Sequence, residues 1–154
     1  MKIGKVIQWD MGHRVLNHRS ICKGLHGHRY RAEICVEGKL IEKSGVSEEG
    51  MVIDFSDIKK TAQKLIQEEL DHAFMVWDRD EELLEFFKHS KGHKPVIVPF
   101  TPTAENVAEY IFHILENKFS DEYKTGLHLH SIKLWETPSS YALYKKVDKK
   151  KVRI

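Results

Sequence analysis

The segment from Arg29 to Gly38 restricts the fold more than any other stretch of the sequence. Its apolar residues occupy every second position: Tyr30, Ala32, Ile34 and Val36. Successive side chains of a β-strand point to opposite sides, so this period of two predicts a strand with one buried face. Cys35 falls on the charged face and is assigned no role. The chain must therefore contain a sheet that another layer covers.

Three further strands are predicted. Lys2 to Trp9 precedes the alternating strand, and the segments Leu127 to Glu136 and Tyr141 to Val147 close the chain. Residues 137–140 contain proline and serine, which favour a tight turn between the last two strands.

Two long helices are predicted between these pairs of strands. The first runs from about Asp54 to Leu70, with apolar residues at helical spacing and Asp54 or Ser56 as its N-cap. The second opens at residues 101–106, where Thr103 is the natural N-cap.

The order of elements predicts the fold class. Residues 79–100 are expected to add only a short helix around Glu82 to Lys88 and a short extended run at 96–98. The order ββααββ predicts one α+β domain over residues 1–154, a four-stranded antiparallel sheet with both long helices on one face. Such a sheet leaves two edges open, so we expect a homo-oligomer whose subunits meet at sheet edges.

Composition excludes two classes of partner. The formal net charge of +2 is too small to indicate nucleic-acid binding, and the basic residues between 145 and 153 are interpreted as a solvated strand end and tail. No apolar run is long enough for a membrane span or a signal peptide, so we expect a cytoplasmic protein. In that compartment Cys22 and Cys35 are expected to be free thiols.

Ten histidines in 154 residues make metal chemistry the first function to consider. His26-Gly27-His28 places two imidazoles on one side of an extended chain, about 6.5–7 Å apart. Gly27 removes a side chain where the backbone must fit tightly. If the first two strands pair as a hairpin, His13 lies opposite His26 and His28.

Three neutral imidazoles suit zinc and leave a fourth coordination position open, as in catalytic zinc sites. We therefore predict Zn²⁺ bound by His13, His26 and His28. A His-x-His sequence on its own also occurs by chance or as a pair of surface histidines, so the prediction depends on His13.

Cys22 lies four residues before His26. Lys23, Arg19 and a nearby zinc ion would each lower the pKa of its thiol, which favours a role as a catalytic acid and base. Two alternatives stay open. Cys22 is the fourth ligand of a closed structural site, or it is an inert buried cysteine.

Six motifs follow one another along nearly the whole chain. They are Gly12-His13-Arg14, Cys22-x-x-x-His26-Gly27-His28, Gly50-Met51-Val52-Ile53-Asp54-Phe55, Leu70-Asp71-His72, Pro102-Thr103-Ala104-Glu105-Asn106 and Trp135-Glu136-Thr137. Together they resemble the 6-pyruvoyl-tetrahydropterin synthase superfamily. The short spacing between Cys22 and His26 is similar to that of its 6-carboxy-tetrahydropterin synthase branch, which works in queuosine and 7-deazaguanine biosynthesis.

This resemblance implies the tunnel-fold (T-fold), in which trimers join their sheets into a barrel. Two such rings stack, so a hexamer with active sites between subunits is expected. The resemblance also implies zinc at His13, His26 and His28, with Cys22 as the catalytic acid and base.

The resemblance further implies that Asp71 and His72 complete the proton-transfer set, since a carboxylate fixes the tautomer of a neighbouring imidazole. Glu136 would bind the pterin ring, with Thr103 and Glu105 nearby, because one carboxylate can accept the ring N–H and the amino group together. Simpler roles stay open: a helix C-terminal cap for Asp71 and His72, a first-turn acid for Glu105 and a strand-end charge for Glu136.

The implied substrate is 7,8-dihydroneopterin triphosphate, which would be converted to 6-carboxy-5,6,7,8-tetrahydropterin, acetaldehyde and triphosphate. Four basic residues are unranked candidates for binding the triphosphate: Arg14, Arg19, Lys23 and Arg29. The alternative functions are a 6-pyruvoyl-tetrahydropterin synthase, which only eliminates triphosphate, and a non-catalytic zinc-stabilised oligomer that binds pterins. Five further histidines match no motif and are expected on the surface or on strand faces: His89, His93, His113, His128 and His130.

Overall fold

Six strands form one mixed sheet in the computed structural model, which describes residues 1–122 and 126–145. The strands are β1 (Lys2–His13), β2 (His26–Gly38), β3 (Ala73–Trp77), β4 (Pro95–Val98), β5 (Leu127–Thr137) and β6 (Ser140–Tyr144). Their order across the sheet is β4-β3-β1-β2-β5-β6. β3 runs parallel to β1 and β4 runs parallel to β3, whereas the other neighbours are antiparallel.

The α+β class is confirmed, but the predicted four-stranded antiparallel sheet is wrong. β3 was not predicted as a strand, and β4 was predicted only as an extended run. Residues 73–77 are apolar at all five positions, and a short apolar run does not distinguish a buried strand from a helical segment. Pairing with β1 decides its conformation, which only the tertiary structure supplies.

Three helices accompany the sheet. α1 comprises Phe55–Ala62, a π-helical stretch Gln63–Gln67 and a final turn Glu68–Leu70, so the predicted long helix is confirmed. α2 is Glu81–His89, the expected short helix, and α3 is Ala104–Glu122.

Side chains cap all three helices at their first turns. The Asp54 carboxylate accepts a hydrogen bond from the Ser56 amide at 2.6 Å, and Asp80 accepts one from the Leu83 amide at 3.2 Å. The Thr103 hydroxyl accepts from the amide of Asn106 at 3.4 Å, as predicted for an N-cap. These bonds satisfy donors that a helix start leaves unpaired.

One face of the sheet packs against α1 and α3. The largest fully buried side chains come from strands and helices alike: Trp9, Tyr30, Phe112, Phe119, Ile34, Ile58, Ile66, Leu70, Met75, Ile111, Leu115 and Ile132. Burial alternates along β1 and β2, because successive residues face the helices and then the opposite side. In the described part of the chain, no helix has both the length and the apolar character needed to span a membrane.

Both central strands are longer than predicted, and this positions the histidines. β1 continues past Trp9 to His13, and β2 begins at His26 instead of Arg29. The predicted end of the last strand at residues 146 and 147, and the basic tail beyond Lys145, lie outside the described residues.

Candidate metal centre and active site

The antiparallel register of β1 and β2 brings the three predicted ligands together. His13 pairs directly with His26, and His28 follows two residues later on the same face of β2. The ring centroids lie 4.5 Å (His13–His26), 5.3 Å (His13–His28) and 5.1 Å (His26–His28) apart. One nitrogen of each ring lies within 4.8 Å of the other two, a group that could hold a metal ion.

The hydrogen bonds of two rings define the nitrogen that is free for a metal. His13 Nδ1 lies 2.6 Å from the carbonyl oxygen of Pro102, and His26 Nδ1 lies 2.8 Å from that of Gly24. A carbonyl only accepts, so each Nδ1 carries the proton and each Nε2 is left with its lone pair. Histidine ligands of metals typically donate their second ring N–H in this way.

His13 is also kept neutral. Burial of its ring lowers the pKa of His13, and the hydrogen bond to Pro102 only partly opposes this effect. Neutral imidazole is the form that coordinates a metal, so the site fits a zinc ion with three nitrogen ligands.

Gly27 allows the two strands to approach at the metal-binding group. A Cβ at this position would lie 3.1 Å from the carbonyl oxygen of Met11, a backbone atom that cannot rotate away. The close backbone fit predicted for this glycine is confirmed.

Tyr30 links the metal-binding group to Glu136. Its hydroxyl lies 3.3 Å from His13 Nε2 and 3.5 Å from Glu136 Oε1, and that carboxylate oxygen is itself 3.6 Å from His13 Nε2. Burial raises the pKa of Tyr30, so the hydroxyl stays protonated. Sequence reasoning placed Tyr30 only in the core, although the alternation His26, His28, Tyr30 already put it on the ligand face.

A cavity of about 330 Å³ opens beside His13 and His26. Besides these two histidines, its walls include four more of the predicted site residues: Cys22, Thr103, Glu105 and Glu136. Thr103 and Glu105 reach it from the start of α3, and Glu136 reaches it from the end of β5.

Cys22 lies in a short helical turn, Ile21–Lys23, between β1 and β2. It is a half-buried free thiol, as predicted, and it lines the cavity. Among the described residues, the group whose ligand atoms lie within 4.8 Å of one another contains the three histidines and not Cys22. In this geometry Cys22 is therefore not a fourth member of the metal-binding group.

Asp71 and His72 are brought together, but not at this cavity. His72 Nδ1 lies 3.0 Å from Asp71 Oδ2, and the amide of Asp10 donates to Asp71 Oδ1 at 3.0 Å. That backbone hydrogen bond lowers the pKa of Asp71. His72 has a positive φ of 57°, and its side chain is 81% exposed beside a separate depression that His28 also borders. Asp71 is also the C-cap residue of α1, the simpler role that the sequence left open.

The four basic residues proposed to bind the triphosphate differ in their contacts. Arg14 is engaged by two carboxylates, those of Asp80 and Glu82. Arg29 lies 3.0 Å from Asp10 on the side of β2 opposite to His28. The other two candidates, Arg19 and Lys23, are exposed on the loop between β1 and β2.

The five histidines predicted to lie on the surface or on strand faces are not part of the metal-binding group. Four are exposed and one is half-buried: His89, His93, His113, His128 and His130. His89 and His113 contact glutamates one helical turn away, and His128 and His130 both contact Glu37.

Proteins of known name are similar to this chain over almost its full length. A sequence model of the family described as 6-pyruvoyl tetrahydropterin synthase matches residues 2–147. A Haemophilus influenzae protein named 6-carboxy-5,6,7,8-tetrahydropterin synthase is 39% identical over 146 residues, which cover 93% of this chain and 97% of that protein. A Rickettsia felis protein of the same name is 34% identical over 143 residues, with coverage of 92% and 97%.

Solved structures share the fold. An uncharacterised protein from Wolinella succinogenes aligns with a TM-score of 0.77 at 24% identity, covering 96% of this chain and 98% of that chain. The 6-pyruvoyl tetrahydropterin synthase of Caenorhabditis elegans aligns with a TM-score of 0.66 at 23% identity, covering 96% of both chains. The family match and the sequence relatives together show that this chain belongs to the 6-pyruvoyl tetrahydropterin synthase family.

Proposed function

We propose that the protein is a zinc-dependent carbon–carbon lyase of the cytoplasm. It converts 7,8-dihydroneopterin triphosphate and one molecule of water to 6-carboxy-5,6,7,8-tetrahydropterin, acetaldehyde and triphosphate, in queuosine and 7-deazaguanine biosynthesis. The observation that carries the proposal is the cavity in which two of the three clustered histidines adjoin a free thiol and a carboxylate. The names of the sequence relatives support the choice of product.

His13, His26 and His28 would hold the zinc ion through nitrogens that carry no proton. A zinc ion with three protein ligands supplies a Lewis acid that stabilises negative charge on an adjoining substrate oxygen. The carbonyls of Pro102 and Gly24 keep two of the rings in the required tautomer and orientation.

Glu136 would bind the pterin ring. Its carboxylate accepts the ring N–H and the neighbouring amino group as a pair of charge-assisted hydrogen bonds. The hydroxyl of Tyr30, 3.5 Å from Glu136 Oε1, helps to hold the carboxylate in place. Thr103 and Glu105 line the same cavity and add polar contacts at the start of α3.

The Sγ atom of Cys22 would accept a proton from a carbon atom of the substrate. Proton transfer by a positioned side chain accelerates a reaction by about 10²–10⁴-fold. A second group must hold a proton on the other side of the substrate, and Asp71 with His72 is the pair available for this.

The position of Asp71 and His72 supports a shared active site. Within one chain His72 borders a different depression from Cys22, and its ring is 81% exposed. We therefore propose a homo-oligomer, a dimer of trimers joined through the open edges β4 and β6. In this assembly the pair from one subunit completes the Cys22 cavity of a neighbour.

Product analysis tests the proposed function. The zinc-loaded protein is incubated with 7,8-dihydroneopterin triphosphate, and the products are identified by mass spectrometry. Acetaldehyde together with a carboxylated pterin is the expected result. A diketo side chain without acetaldehyde would make the protein a 6-pyruvoyl-tetrahydropterin synthase, and binding without turnover would make it a non-catalytic pterin-binding protein.

A further inference from the structure

His18 lines the same cavity as Cys22, and none of the roles above uses it. It is half-buried in the loop between β1 and β2. Among the described residues that border this cavity, it is the histidine that does not belong to the metal-binding group.

Backbone hydrogen bonds hold His18 and Cys22 in a fixed relation. The His18 amide donates to the carbonyl of Val15 at 2.9 Å, and the Val15 amide donates to the carbonyl of Cys22 at 2.8 Å. Both residues are therefore tied to Val15, which lies two residues after His13 at the end of β1. The loop thus brings an imidazole and a thiol to the lining of the cavity.

The hydrogen bonds of the His18 ring leave its Nε2 as a donor, whereas Nε2 of His13 and of His26 carries a lone pair. The amide of Ser20 donates to His18 Nδ1 at 3.1 Å. A backbone amide is only a donor, so Nδ1 carries the lone pair and the proton of the neutral ring lies on Nε2. This is the opposite tautomer to that of His13 and His26. His18 thus offers an N–H to an acceptor where the other two offer a lone pair to a cation.

Charge is distributed unevenly around the cavity. Glu105 and Glu136 supply carboxylates on the side of α3 and β5. The loop on the side of His18 carries Arg19 and Lys23, both exposed. A ligand with N–H donors at one end and an anionic group at the other is therefore oriented with the anion toward the loop.

We propose that His18 is the residue that binds the phosphoryl end of the substrate, donating from Nε2 to a phosphate oxygen while Glu136 holds the pterin end. This inference rests on the proposed function, since it assumes a pterin that carries a polyphosphate chain. Arg19 and Lys23, exposed on the same loop, would add electrostatic attraction for the anion.

The test measures the binding of two separate parts of the substrate. Inorganic triphosphate and unphosphorylated 7,8-dihydroneopterin are titrated by calorimetry into the zinc-loaded wild type, His18→Ala and His18→Gln. His89→Ala serves as the control, because His89 is exposed and lies outside the cavity. The zinc content is measured before and after each titration, since triphosphate also chelates zinc.

We expect His18→Ala to weaken triphosphate binding about tenfold or more, the effect of losing one hydrogen bond to a charged group, and to leave dihydroneopterin binding unchanged. His18→Gln retains an N–H near the position of Nε2 and should recover part of the affinity. His89→Ala should behave as the wild type does.

Three results would overturn the role of His18. They are triphosphate binding by His18→Ala equal to that of the wild type, an equal loss of affinity for both ligands, and no triphosphate binding by the wild type. If the wild type still forms the pterin product in any of these cases, the proposed function stands without His18. Conversely, triphosphate binding that depends on His18 without any pterin product would support the anion site and refute the proposed reaction.

Discussion

The ion pair between Arg14, the residue directly after β1, and Asp80, the N-cap residue of α2, joins these two elements. Arg14 Nε donates to Asp80 Oδ2 at 2.6 Å, and Nη2 donates to the other oxygen of the same carboxylate. Asp80 is 2% exposed, whereas Glu82, which also accepts from Arg14 at 2.9 Å, is 78% exposed. One arginine thus has a buried and an exposed partner, which allows a matched comparison of Asp80→Asn with Glu82→Gln.

The two substitutions should differ strongly in their effect on the free energy of unfolding. Removing one partner of a buried ion pair costs about 3–5 kcal/mol, because the other charge stays buried without compensation. The amide introduced by Asp80→Asn would still cap α2 and accept one hydrogen bond, and Glu82 would still accept from Arg14, so we expect the lower end, about 3 kcal/mol. An exposed pair contributes about 0–1 kcal/mol, so Glu82→Gln should cost less than about 1 kcal/mol.

Thermal and urea unfolding measure this difference. About 3 kcal/mol corresponds to a fall in Tm of roughly 6–12 °C for a chain of this length, and less than 1 kcal/mol to a fall of under about 4 °C. Protein and zinc concentrations must be equal in all samples, because assembly and metal binding also stabilise the folded state. Equal losses of stability in Asp80→Asn and Glu82→Gln would show that burial does not control the strength of this ion pair.

Two further predictions concern the metal-binding group and acid stability. Cys22→Ala should keep stoichiometric zinc but lose turnover, whereas His26→Ala should lose zinc. Metal analysis of the purified variants measures this difference. Loss of zinc from Cys22→Ala would make Cys22 a ligand. Burial alone would raise the pKa of Asp80, but its hydrogen bonds, chiefly from Arg14, outweigh burial and lower it. Asp80 therefore stabilises the fold above its unfolded pKa of about 3.9, and this contribution is lost as the pH falls through the lower, folded pKa. Below about pH 4, the free energy of unfolding should fall more steeply with decreasing pH in the wild type than in Asp80→Asn. Equal slopes would contradict the lowered pKa of Asp80.

Local patterns in the sequence determine most of the individual elements. The alternation around Tyr30 specifies β2 and its buried face, and the apolar spacing after Asp54 and Thr103 specifies the two long helices. These features depend on residues a few positions apart, so neighbouring side chains are enough to encode them. The His26-Gly27-His28 sequence is local in the same sense, and it identifies two members of the metal-binding group.

Contacts between distant residues are decided only by the tertiary structure. The register of β1 and β2 sets His13 opposite His26, and the carbonyl of Pro102, 89 residues from His13, selects the tautomer of its ring. Nothing near His13 in the sequence indicates that carbonyl. The position of Asp71 and His72 outside the Cys22 cavity depends in the same way on how β3 pairs with β1.

The number of strands also depends on contacts between distant residues. Residues 73–77 have no period that distinguishes strand from helix, and they become β3 because the edge of β1 offers backbone hydrogen bonds to an extended chain. Local sequence patterns identify the residue types that suit a metal ion and a proton transfer. Their arrangement into a metal-binding group and a cavity required the packing of the described chain, because strand register and long-range hydrogen bonds are properties of the whole sheet and not of any one segment.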